Sequence, residues 1–131
     1  RSVIVHHKAK INEIMSDLES KGIKCVVKGN GSKVVDQLPR VGTTISEKGT
    51  VILYTESGME KQQVKIRNLN KMSPEQVFKW ITDNNLNVIV EGVYNKEYDN
   101  CFVLSQSIEP GTEVTVGTIM EVTFIYDEDI E

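Results

Sequence analysis

Few side chains in this chain combine the type and the spacing that chemistry requires. His6 and His7 are its only histidines. Adjacent on a strand, they would point to opposite faces and could not grip one metal together, and no Cys or acid stands beside them at ligand spacing. Cys25 falls inside an apolar alternation, which predicts a reduced thiol filling core space, and Cys101 does not align with it in the repeat described below. Gly29-Asn30-Gly31 lacks the rest of a dinucleotide fingerprint and no strand-to-helix step follows it, so it reads as a hairpin turn. Asn30-Gly31-Ser32 spells a glycosylation acceptor by letters only. Trp80, the sole tryptophan, lies on the apolar stripe of a helix and is expected in the core. Arg40 and Arg67 are bases near turns, where they could meet a carboxylate, although arginine at such places is more often solvated. No nucleophile, base or metal set converges, so no catalytic residue, metal or cofactor is expected.

The elements that carry these residues come in two copies. Shifting the chain by 63 positions lays Ile14 on Val77, Leu18 on Ile81, Ile23 on Leu86, Val27 on Val90 and Gly29 on Gly92. Further along, Gln37, Gly42 and Thr43 fall on Gln106, Gly111 and Thr112 at a shift of 69, so the second copy holds an insertion, placed among residues 93–100. The units are read as residues 1–57 and 64–131, with 58–63 as linker. Ile11, Ile14, Met15 and Leu18 stand at i, i+3, i+4 and i+7 and predict a helix stopped by Gly22. Ser73, Pro74 and Gln76 form a capping-box start for the second helix, with Met72 and Val77 as its staple, Trp80 and Ile81 on the buried stripe and Asn84-Asn85 as the stop. Alternation over Ile23–Val27 and Leu86–Val90 predicts strands, as do Val34-Val35, Val51–Tyr54, Phe102–Leu104 and Met120–Tyr126. The expected class is α+β, each unit one helix on a small, mainly antiparallel three-stranded sheet.

Hydrophobic residues make up 39% of the 131 and charged residues 26%, a globular balance with no apolar run near the ~18 residues of a spanning helix. A net charge of -4 argues against a nucleic-acid partner. The charge is unevenly spread, with nine basic and six acidic residues in 1–56 against six and thirteen in 57–131, four of them in an acidic C-terminal tail. Opposite signs on two tethered units predict a moderately polar contact between them that salt loosens.

The segment Val35-Asp36-Gln37-Leu38-Pro39-Arg40-Val41-Gly42-Thr43, followed by Gly49-Thr50-Val51, resembles the signature of the PASTA domain. That module is found in bacterial cell-wall enzymes and receptor kinases. The second copy repeats the pattern as Val103-Leu104-Ser105-Gln106, Pro110-Gly111-Thr112 and Gly117-Thr118. The family's usual opening valine-proline is missing at Val3–His6 and at Ile66–Leu69. Proline fixes φ and glycine tolerates φ above zero, so Gln37, Pro39, Gly42 and Thr43, with Gln106, Pro110, Gly111 and Thr112, are expected to build equivalent structural turns.

The resemblance implies a non-catalytic accessory module at the extracytoplasmic face of a bacterial membrane, anchored by a segment outside this chain. Its partners would be a transpeptidase domain of the same polypeptide, as in class B penicillin-binding proteins of sporulation type, and peptidoglycan stem peptides weakly recognised. Gly29-Asn30-Gly31 before Lys33-Val34-Val35 resembles the penicillin-binding version, whereas the loop over residues 93–100 is closer to kinase units, whose ectodomains sense muropeptides. Of the two parents the resemblance favours the penicillin-binding protein. The Ser-x-x-Lys, Ser-x-Asn and Lys-Thr-Gly motifs of a penicillin-reactive site are absent, and Lys48-Gly49-Thr50 has the last one's letters in the wrong order.

Overall fold

The computed structural model describes residues 11–40, 43–45, 49–57, 60–92 and 101–126. The first unit runs α1 (Ile11–Ser20), β1 (Lys24–Lys28), β2 (Val34–Leu38) and β3 (Thr50–Thr55). The second runs β4 (Gln63–Lys65), α2 (Pro74–Asp83), β5 (Asn87–Gly92), β6 (Cys101–Gln106), β7 (Glu113–Thr115) and β8 (Ile119–Tyr126). The class is α+β, and each three-stranded sheet is mixed, with one parallel and one antiparallel pair instead of the mainly antiparallel pairing expected. β3 lies between β1, to which it is parallel, and β2, to which it is antiparallel, while β8 lies in the same way between β5 and β6. β4 and β7 form a separate antiparallel ribbon. The opening strand expected near Val3–His6, and both histidines, fall outside the described residues.

Helix limits follow the local signals. Ser73 accepts from the Gln76 backbone while the Gln76 side chain accepts from the Ser73 N–H, closing the capping box with Pro74 at the first turn. Gly22 (φ 77°) ends α1 in the left-handed region, and Asn85 (φ 56°), its counterpart at a shift of 63, does the same for α2. The next residue then bonds back five positions in each unit, Ile23 to Leu18 at 3.1 Å and Leu86 to Ile81 at 3.0 Å. Ile14 and Leu18 bury against Val34, Val51 and Leu53; Val77 and Ile81 bury against Val103, Val122 and Phe124. Trp80 is only partly buried at the margin of that second core.

The repeat extends to the sheet register. Gln37 pairs with Leu53 and Gln106 with Val122, one displacement of 69 on both strands, and the same bulge lies between Val34/Asp36 and Val103/Ser105. One sequence match does not survive. The amide opening β1 bonds to Gly49 and the amide opening β5 bonds to Thr118, so Gly49 corresponds to Thr118, and Gly117 stands one residue earlier.

Every residue of β3 is buried. Val51 and Leu53 face α1, whereas Ile52 and Tyr54 face Val116, with Val26, Leu38 and Val64 around them. The first sheet is therefore covered on one side by its own helix and on the other by the ribbon of the second unit. At the corner of this seam the Asn87 side chain, 1% exposed, pairs with a backbone as another peptide group would. Its Oδ1 accepts from the Thr50 N–H at 2.7 Å, and its Nδ2 donates to the Thr50 carbonyl at 2.9 Å and to the Gly117 carbonyl at 3.0 Å. Lys24, the counterpart of Asn87 in the first unit, reaches the Thr82 carbonyl at 3.0 Å.

One ion pair stands at the edge of the seam, from Lys61, just before β4, to Asp36 on β2 at 3.1 Å. The expected contact between the units is present, and it consists mainly of apolar burial, with the Asn87 amide, the Lys24 ammonium and this ion pair at its margins. Truncating Asn87→Ala strands the amide and carbonyl of Thr50 in a buried corner and should lower stability by about 2 to 4 kcal/mol in urea unfolding. Gly117 (φ 91°) and Gly111 (φ 92°) separate backbone strain from seam packing. A Cβ on Gly117 would lie 2.9 Å from Leu38 Cβ, while one on Gly111 meets nothing within 4 Å. Gly111→Ala is expected to cost about 1 kcal/mol and Gly117→Ala clearly more, and equal losses would show that the seam yields freely.

Candidate functional site

The two turns singled out in the sequence are built around glutamines that bond their own chain two residues on. Gln37, 1% exposed at the end of β2, donates from Nε2 to the Pro39 carbonyl at 3.0 Å. Gln106 donates likewise to the Ile108 carbonyl at 2.9 Å and to that of Arg67 at 3.0 Å, while its Oε1 accepts from the Leu69 N–H at 2.8 Å. Gln106 thus ties the turn to the segment leading into α2. The Oε1 of Gln37 has no partner among the described residues.

Beyond each glutamine the chain reverses. Thr112 N–H bonds to the Glu109 carbonyl at 3.2 Å, with Pro110 and a left-handed Gly111 as the central residues, the pattern of a type II turn. Gly111 N–H then reaches the Ile66 carbonyl at 2.7 Å and Ile66 N–H the Thr112 carbonyl at 2.9 Å, fastening the turn to the chain just after β4. In the first unit Thr43 N–H bonds to the Arg40 carbonyl at 3.1 Å, so Arg40 to Thr43 occupies the place of Glu109 to Thr112. Gly42 lies outside the described residues. The prolines are not equivalent. Pro39 follows Leu38 through a cis bond and corresponds to Ile108, two positions before Pro110.

One charged cluster adjoins the first turn. The Asp36 carboxylate, with its side chain 19% exposed, meets Lys61 Nζ at 3.1 Å and Arg40 Nη1 at 4.0 Å, and its Oδ1 accepts from the Gln37 N–H at 2.9 Å. The Lys61 ammonium also stands 5.6 Å from the centre of the Tyr54 ring, within cation–π reach. Burial alone would raise the Asp36 pKa, but the Lys61 and Gln37 hydrogen bonds and the charges of Lys61 and Arg40 outweigh it and hold the carboxyl below its ordinary range. Tyr54 moves the other way, its phenol pushed up by burial and then by the Asp36 charge. Its Oη has no hydrogen-bond partner among the described residues.

The second unit has Ser105, Glu109 and Thr123 where the first has Asp36, Arg40 and Tyr54, so this cluster belongs to one copy only. The Arg40 side chain is 73% exposed. Arg67 is exposed on the other unit and stands in no comparable group among the described residues. Cys101 is buried in the second core, and the half-buried Cys25 thiol is pushed up to about 11 by burial and by Glu19, which keeps it protonated and unreactive at neutral pH. No group of three His, Cys, Asp or Glu side chains able to hold a metal occurs among the described residues.

Sequence reasoning missed Asn87, Asp36, Lys61 and Tyr54 as a set. The one available signal was Asn87 itself, a polar residue opening an otherwise apolar strand. A lowered carboxyl pKa stabilises the fold above the unfolded value of about 4 and loses that contribution as pH falls through the folded value. Asp36→Asn should therefore reduce the urea midpoint at neutral pH, by an amount worth roughly 0.5 to 1 kcal/mol for such a partly exposed group, and converge on the parent chain as pH falls below the folded value. A difference that persists unchanged in acid would assign the loss to packing.

The PASTA domain family model matches residues 8–57 and again 64–126. Over 95 residues the chain is 28% identical to the serine/threonine-protein kinase PrkC of Bacillus subtilis (strain 168), covering 72% of this chain and 14% of that kinase. Penicillin binding protein 2X from Streptococcus thermophilus is similar at a TM-score of 0.42 and 12% identity, over 95% of this chain and 17% of that one. The extra-cellular region of the Ser/Thr kinase PrkC from Staphylococcus aureus is similar at 0.44 and 17%, over 100% of this chain and 49% of that one. A three-PASTA-domain structure of a Ser/Thr kinase from the same species gives 0.39 and 14%, over 93% and 64%. Matched through both of its helix-on-sheet units, the chain belongs to the PASTA domain family.

Proposed function

We propose that this chain is a non-catalytic extracytoplasmic module that positions a neighbouring transpeptidase domain of the same polypeptide, supports peptidoglycan synthesis and weakly recognises the carboxylates of peptidoglycan stem peptides. The observation that carries the positioning role is the seam. A central strand buried on both faces and an amide locked into a backbone make the two units one body, which suits an appendage folded against an enzyme. Recognition rests on Arg40, the exposed cation beside the first turn. Among the described residues no helix is long and apolar enough to cross a membrane, so an anchor would be supplied elsewhere in the parent.

A second reading has its own support. The 28% identity to a serine/threonine kinase favours a muropeptide-sensing ectodomain, and the chain covers only 14% of that relative. The catalytic domain encoded with this segment decides between the parents.

Three outcomes are expected. A fluorescent penicillin should leave no covalent band on the chain, because no Ser-x-x-Lys supplies a nucleophile. Small-angle scattering should give a compact profile little changed between low and high salt, as a mainly apolar seam requires; an extended two-lobed profile would remove the positioning role. A soluble stem peptide should perturb the amides around Arg40, and Arg40→Ala should abolish those shifts while leaving the fold intact. Shifts that survive the substitution would place recognition elsewhere.

A further inference from the structure

The loop between β1 and β2 carries Asn30-Gly31, a pair with intrinsic reactivity that the reading above leaves unused. A glycine after asparagine puts no side chain in the way when its backbone nitrogen attacks the asparagine amide, and asparagine is a thermolabile residue for this reason. Here the nucleophile is tied up. The Gly31 N–H donates at 3.1 Å to the Oγ1 of Thr55, a buried residue whose hydroxyl donates in turn to the Lys28 carbonyl at 3.0 Å. The neighbouring Asn30 N–H donates to Ser57 Oγ at 2.8 Å, and Lys33 N–H to Glu56 Oε1 at 3.3 Å. A side chain at Gly31 would overlap the Glu56 carboxylate, so Glu56 lies directly over the loop. The loop also accepts the first amide of α1, from Ile11 to the Ser32 carbonyl at 3.0 Å.

We propose that Asn30-Gly31 is a self-acting modification site, a deamidating pair that the docked loop holds closed and that cannot dock again once converted. In the reaction the Gly31 nitrogen loses its proton to solvent base and forms a bond to Asn30 Cγ. The Cγ–Nδ2 bond breaks and ammonia leaves, giving a cyclic imide. Water then opens the imide at either carbonyl, to aspartate or to isoaspartate, with no change of oxidation state. Attack requires Gly31 N to leave Thr55 and turn toward the side chain, so conversion passes through local undocking of the loop.

Both products oppose redocking. Each adds a carboxylate at position 30, next to the residue that Glu56 overlies, where like charges repel. Isoaspartate also inserts one extra main-chain atom between the amides of residues 30 and 31, which are bound to Ser57 and Thr55 at a spacing set by normal backbone. Both bonds cannot then be kept, and the Ser32 carbonyl at the start of α1 is released with them.

The whole chain, held at mildly alkaline pH in buffer and in urea, is digested with trypsin, and the Gly29–Lys33 peptide is resolved into its Asn, Asp and isoAsp forms. The Asn form should disappear about tenfold or more slowly from the native chain than from the unfolded one. Ser57→Ala, at an exposed position, and Thr55→Val, near-isosteric, should each speed native conversion severalfold while leaving the rate in urea unchanged. If Thr55→Val fails to fold, Ser57→Ala decides alone. Native and unfolded rates that agree, or a folded variant that converts no faster than the parent, would overturn the gating. The isoaspartate form, isolated by anion exchange, should show faster hydrogen exchange at the amides of residues 31 and 33; protection equal to the parent would overturn the one-way character.

Discussion

The two units depend on one constraint, that β3 has no free face. A strand in a small helix-on-sheet unit ordinarily leaves one face to water, and its outward residues are then polar. Here the outward residues are Ile52 and Tyr54, which must be covered from outside the unit. The β4–β7 ribbon supplies the cover, and Asn87 fixes where it sits by completing the hydrogen bonds of Thr50 at the end of the strand. An amide in that place does what apolar contact cannot: it penalises any sliding of the seam, because a shifted register leaves two backbone groups and a side chain unpaired in a buried site.

The same scaffold is used differently in its second copy. At a shift of 69 the outward positions Leu38, Ile52 and Tyr54 become Ser107, Glu121 and Thr123, and Val26 becomes Ile89 at a shift of 63. The outer face of the second sheet is therefore mostly polar, with Ile89 and Leu104 as its exposed apolar side chains. Register, bulge and helix stops are shared between copies because they are set by backbone geometry. Outer faces diverge because only one of them is buried between units. The Asp36, Arg40 and Lys61 cluster follows the same division, since it sits at the edge of the covered face and has no counterpart on the open one.

Under the proposed function, the exposed cation beside the first turn would serve recognition and not chemistry. Gln37 and Gln106 hold the strand ends from within, and Arg40 stands exposed three residues beyond Gln37.

By itself the sequence determined the local structure. The repeat, both helices with their stops, the cap of α2 and the six strands of the two three-stranded sheets could be read from spacing, because capping, positive φ and apolar period are set by residues within a few positions of one another, whereas the β4–β7 ribbon could not. Gly49 and Gly117 misled for a related reason: similar letters near a strand start do not reveal a one-residue difference in where pairing begins. A net charge imbalance predicts that two tethered units meet but says nothing about which surfaces do. The seam was decided only by tertiary structure. Ile52 and Tyr54 alternate with Val51 and Leu53 in an apolar run that fits a strand buried on both sides, yet nothing local says what lies against the second face. Asn87 reads as a stray polar residue until Thr50 is brought beside it from 37 positions away, and the partners of a buried amide are fixed by the fold that surrounds it.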